Sequence, residues 1–198
     1  MGGSDMKARI ASIAAALLLS VSAGTALATG SEVGTSAVFT IGPGHTFIGY
    51  VPGAASTLVR TSKGISVSLD TSGLPAGHAV TVWALIFNNP SACGADGCQE
   101  MTGDLGIPEV QGSVFRVTGH VVEEIDRFGG FVPVGDAAEA FVGPGLLNSY
   151  GAEIHLIVRD HGVAASGELL QQQFNDISPR FCNVACADIQ ESIHLAHM

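Results

Sequence analysis

Between Ile65 and Asp70 apolar and polar residues alternate, with Ile65, Val67 and Leu69 on one side and Ser66, Ser68 and Asp70 on the other. A period of two sends successive side chains to opposite faces, so the segment predicts a half-buried β-strand. Gly73-Leu74-Pro75-Ala76-Gly77 then supplies the residues of a turn. From Val80 to Phe87 the chain is almost unbroken apolar sequence, the pattern of a central strand covered on both faces. Asn88-Asn89-Pro90 stops it, because proline cannot donate to a ladder.

Alternation returns from Ser113 to Glu123, which predicts Phe115, Val117 and Val121 on one face and Arg116, Thr118 and His120 on the other. Ala152 to Asp160 sends Ile154, Leu156 and Val158 one way and Glu153, His155, Ile157 and Arg159 the opposite way. Three segments stay open: Ala137 to Phe141 fits a strand or one helical turn, Glu168 to Phe174 is ambiguous, and Ala187 to Leu195 fits a strand or a short helix. Residues 29–36 read as a mobile start. Twenty-six glycines and eight prolines punctuate these short segments. The fold class that follows is mainly all-β, a Greek-key-type β-sandwich or barrel.

Ahead of the strands, Lys7 and Arg9 precede an apolar run from Ile10 to Val21 and then Ala26-Leu27-Ala28. This basic start, apolar middle and A-x-A exit is the grammar of a signal peptide over residues 1–28. A membrane span needs about 20 apolar residues, more than this run offers. The remaining 170 residues, 29–198, are expected to form one β-rich domain, secreted or periplasmic. Without Lys7, Arg9 and Asp5 that portion carries six basic against seventeen acidic residues, a charge of −11. Such a surface repels nucleic acid and anionic membranes, so neither is an expected partner.

The four cysteines, Cys93, Cys98, Cys182 and Cys186, all lie in that exported portion. An oxidising compartment and an even count favour disulfides over a four-thiolate zinc site, set in the long loops between strands. Three pairings are possible: two local bridges, Cys93 with Cys98 and Cys182 with Cys186, are the simplest, and cross-links between the pairs are equally legal.

Motifs exclude several reactions. Residues 29–198 have no G-x-S-x-G, S-x-x-K, H-E-x-x-H, Walker loop or dinucleotide-binding glycine motif. Gly42-Pro43-Gly44-His45 is glycine-rich but lacks the lysine a phosphate loop needs, and it reads as a turn. Seven histidines remain: His45, His78, His120, His155, His161, His194 and His197. Neutral imidazole suits copper and zinc, so a cross-strand cluster of His120, His155 and His194, with His161 as a further ligand and Glu153 or Asp188 beside it, is the candidate metal site. His155 and His161 on one straight strand would stand roughly 20 Å apart, so such a site must draw on different strands. The plainer reading is that a histidine among charged neighbours makes an ordinary hydrogen bond. His161, before Gly162, also reads as a loop residue, and His45 and His78 as turn residues. Trp83 reads as core, and Arg159 as half of an ion pair.

Two resemblances carry these patterns further. Val82-Trp83, Phe87-Asn88-Asn89-Pro90 with Cys93, Gly151-Ala152-Glu153-Ile154-His155-Leu156 and Arg159-Asp160-His161-Gly162 resemble a family of uncharacterised secreted bacterial proteins, over roughly Ile65 to Leu195. That family brings no activity with it. Gly73 to His78 and Gly103-Asp104-Leu105-Gly106 are more remotely similar to turns of CHRD modules and copper/zinc superoxide dismutases, which implies a Greek-key sandwich. The strand that would supply the dismutase H-x-H ligands reads Thr81-Val82-Trp83-Ala84 here. The leading expectation is therefore a secreted copper- or zinc-binding protein or envelope binding module without turnover. The alternatives are an enzyme using His155 with Glu153 and a structural or adhesive module without metal.

Overall fold

The computed structural model describes residues 30–95, 97–99, 103–123, 126–175 and 186–196; the expected signal peptide, Cys182 and His197 lie outside the described residues. Among the described residues eight strands follow in order: β1 (Glu32–Gly42), β2 (Thr46–Thr61), β3 (Gly64–Thr71), β4 (His78–Phe87), β5 (Gly112–Val121), β6 (Asp126–Pro133), β7 (Glu153–Val163) and β8 (Ala187–His194), with an α-helix, α1 (Glu168–Asn175), between β7 and β8. All neighbours are antiparallel, in one sheet ordered β5-β4-β7-β8-β1-β2-β3-β6. The two ends of that order, β5 and β6, approach each other and bring the sheet nearly to closure. Of the two expected forms the molecule takes the barrel.

The interior follows from the alternation. Ile65, Val67 and Leu69 are buried while Ser66, Ser68 and Asp70 face out, and Ile154, Leu156 and Val158 meet them with Leu58, Val82, Ala84 and Ile86. β4 is buried along nearly its whole length because its second face is covered too. Trp83, Leu85 and Phe87 pack outside the barrel against Ile157, Val110, Val114 and Cys98. Cys98 belongs to the loop after Pro90 and forms the disulfide with Cys93. Thus the expected long loop, closed by one of the simplest pairings, forms the outer lid of the central strand. Cys186 is disulfide-bonded as well, to a partner outside the described residues.

Several expectations need correction. Residues 32–36 are not a mobile start, since Glu32–Ser36 pair with Arg60–Ser56. Residues 137–141 form turns and bends. There Gly143, at φ +90°, runs so close to β5 that a Cβ would sit 2.1 Å from the Gly112 carbonyl oxygen. In β5 the register passes from Val82↔Thr118 to Trp83↔Arg116, leaving Val117 as the extra residue of a bulge. The bulge inverts the faces beyond it. Thr118 and His120 turn inward opposite Val82 and Val80, rather than outward with Arg116.

Candidate functional site

The outer face of β7 and β8 carries a chain of paired charges. Glu153 and His155 are two apart on one strand and so share a face, where the imidazole Nε2 meets Glu153 Oε1 at 2.8 Å. Glu191 reaches the same ring from β8, its Oε1 2.9 Å from Nδ1. With a carboxylate against each nitrogen, this setting favours the imidazolium form of His155, which has no lone pair to offer. Burial opposes that charge, but the hydrogen bonds and charges of Glu153 and Glu191 outweigh it and raise the pKa above 6.5. Burial likewise works against Glu191, yet His155 and then His45 lower its carboxyl from 4.5 to about 2. The ring also packs against Phe87, centroids 5.0 Å apart.

His45 extends this chain. Pro43 opens a single 3₁₀ turn between β1 and β2, and Gly44 and His45 both take left-handed angles, φ 70° and 54°. Among non-glycine residues histidine is one of those enriched there. The turn swings the ring over β8, with Nε2 3.3 Å from Asp188 Oδ2 and Nδ1 3.7 Å from Glu191 Oε2. Asp188 also accepts from Arg159 Nη1 at 2.7 Å. Burial raises the Asp188 carboxyl, but His45 and Arg159 together hold it below its ordinary value. The full series is Glu153, His155, Glu191, His45, Asp188 and Arg159, acidic and basic side chains alternating from end to end.

The other expected ligands lie in separate settings. His194 faces the opposite side of the sheet from His155, since it pairs with the core residue Ile154. There its Nε2 lies 2.7 Å from Ser56 Oγ, which meets Ser192 Oγ at 2.7 Å. His161 is fully buried, with Nε2 2.8 Å from Thr81 Oγ1 and Nδ1 3.5 Å from Cys186 Sγ. Thr81 Oγ1 in turn accepts from Trp83 Nε1 at 2.7 Å. His120 stacks on Phe128 at 4.3 Å between centroids. The nearby Asp126 carboxyl is raised by burial, with His120 opposing. His78 meets Asp160 at 2.9 Å. Among the described residues no group of three or more His, Cys, Asp or Glu is arranged to hold a metal ion.

A different feature emerges at the end of the barrel. Phe39, Phe47 and Tyr50 form an aromatic cluster with centroids 5.2–6.4 Å apart on the β1–β2 hairpin. Phe47, Ile48 and Tyr50 are 53%, 65% and 69% exposed, a contiguous apolar patch of the kind that marks interaction sites. Tyr50 also lines a cleft of about 350 Å³, with Thr40, Pro52, Ser72, Asp160 and Gln190 among its walls. Gln190 is fixed by accepting from Thr71 Oγ1 at 2.6 Å and donating to the Ser72 carbonyl at 2.9 Å. Sequence reading missed both the cleft and His45. The signal available was Thr46-Phe47-Ile48-Gly49-Tyr50 directly after a tight turn.

Fold and site together define an antiparallel, nearly closed eight-stranded barrel with a neutralised charge network on one flank and an aromatic-rimmed cleft at one end. No protein-family model matches the chain, and neither the curated proteins nor the solved structures contain a match.

Proposed function

We propose that this chain is a binding module acting outside the cytoplasm without turnover, and that its ligand is a saccharide seated in the cleft against Tyr50. The observation that carries this is the pair of exposed rings, Phe47 and Tyr50, packed on the half-buried Phe39, with Tyr50 among the residues lining a cleft with fixed polar walls. A sugar ring offers C–H faces to aromatic rings and hydroxyls to groups such as Asp160, Gln190, Thr40 and Ser72. The cleft volume falls within the range of about 300–1,000 Å³ typical of small-molecule sites. An enzyme using His155 as base has less support, because a ring that donates from both nitrogens cannot accept a proton. Copper or zinc at His155 would have to displace Glu153 or Glu191.

The test is an NMR titration with soluble chito-oligosaccharides and muropeptides, together with a metal titration. Shifts at Thr40, Tyr50, Ser72 and Gln190 that vanish in Tyr50→Ala support the reading. Absence of shifts with every saccharide at millimolar concentration, or stoichiometric copper or zinc uptake lost in His155→Ala, overturns it.

A further inference from the structure

The ladder between β1 and β8 has two paired positions, Phe39↔Glu191 and Thr40↔Gln190, against seven between β7 and β8. Beyond Thr40 the hairpin runs on past that ladder, carrying Phe47 and Ile48 with it, while Tyr50 stands opposite Phe39, level with the ladder. From the turn beyond it, His45 reaches back to Asp188 and Glu191 on β8. The cleft lies at the ladder itself, lined by the paired Thr40 and Gln190 with Tyr50 and Ile189 beside them.

We propose that His45 is a proton-operated clasp: charged, it bridges Asp188 and Glu191 and holds the aromatic hairpin against β8; neutral, it releases the hairpin and loosens one wall of the cleft. The functional part of this rests on the cleft being the ligand site. An imidazolium offers an N–H to each carboxylate, whereas a neutral ring has one N–H and turns its lone pair toward the other carboxylate, so one of the two links is lost. The left-handed backbone at His45, a conformation in which histidine is enriched together with asparagine and aspartate, brings the side chain to both acids.

Among the described residues, the charged groups against the ring include Asp188 and Glu191 from β8. Behind them on β7 stand Arg159, bonded to Asp188, and His155, bonded to Glu191 with Glu153 beyond. Both carboxyls that face His45 are held below their ordinary values, Glu191 at about 2, so they remain anionic while imidazoles titrate. Arg159 and His155 are ion-paired with the same two carboxyls.

The experiment is hydrogen–deuterium exchange of the full chain without ligand, near pH 5.5 and near pH 8.5, corrected for intrinsic exchange, with peptides covering residues 39–51 compared against β3. Local opening on loss of the clasp should speed hairpin exchange roughly tenfold at the higher pH. His45→Asn keeps a left-handed-tolerant residue but cannot span two acids, and should exchange fast at both pH values. In the unmodified protein the His45 ring resonance should titrate with the same midpoint as hairpin opening, which needs no variant. Equal wild-type protection at both pH values, a mismatched midpoint, or wild-type protection in His45→Asn at the lower pH overturns the clasp. Saccharide binding beside a pH-insensitive hairpin sinks the clasp alone, and a pH-operated hairpin beside a cleft that takes no saccharide sinks the binding reading alone.

Discussion

At the scale of single residues, His155 is the group whose removal should be felt most. Glu153 and Glu191 are 9% and 6% exposed, and without the imidazolium between them two buried carboxylates lose a counter-charge. Breaking a buried pair from one side costs about 3–5 kcal/mol, so His155→Ala should lose that much in urea unfolding at pH 6. The pH profile follows from the directions of the shifts. His155, raised above 6.5, contributes fully below 6.5, and that contribution fades as pH rises through its higher folded value. Glu191, lowered from 4.5 to about 2, contributes fully above 4.5 and fades as pH falls toward 2. Melting temperature should therefore be level between 4.5 and 6.5 and drop on either side. His155→Ala should flatten the alkaline drop; an unchanged drop in the variant would assign it to another group. The Glu153–His155 pairing was legible in the sequence because positions two apart on a strand share a face. Glu191 was not, because its place depends on the β7–β8 register.

At the scale of elements, period-two alternation located β3 and β7 and the apolar run located β4, since in each the side chains answer directly to burial. It failed in β5 through one residue. Val117 bulges, and everything after it, His120 included, changes face. No local pattern announces such an insertion, because its cause is the fit of β5 onto β4. β1 and β2 were missed for a different reason: Thr, Gly, Ser and Ala alternate in exposure but scarcely in polarity. The loop after β4 is an element in its own right. Its Cys93–Cys98 bridge closes a separation of five residues, for which loop-closure entropy gives about 2 kcal/mol. Replacing both cysteines by alanine should lower unfolding free energy by that amount. A larger loss, with greater solvent exposure of Trp83 seen in its fluorescence, would show that the loop had lifted off the outer face of β4, where Cys98 packs with Trp83 and Phe87.

At the scale of the whole molecule, the two expected forms, sandwich and barrel, are closer than their names suggest. The sheet order divides into β5-β4-β7-β8 and β1-β2-β3-β6, two four-stranded halves joined by the two pairs of the β1–β8 seam and by the approach of β5 to β6. Within the halves the ladders are long: nine pairs for β4–β5, nine for β4–β7, eight for β3–β6. Composition and alternation could establish a two-layered β core, because each strand needs only a buried face. Whether its edges join is decided at two pairs of residues. The seam should therefore be the first part of the sheet to open. Native-state hydrogen exchange should give the amides at Thr40 and Gln190 a lower opening free energy than those of Val82 and Leu156, which lie within long ladders on both sides. Rising denaturant should leave the seam amides almost unaffected while the core amides converge on global unfolding. Seam and core amides with one common opening energy would mean instead that the barrel unfolds as a single unit and that the division into halves has no energetic meaning.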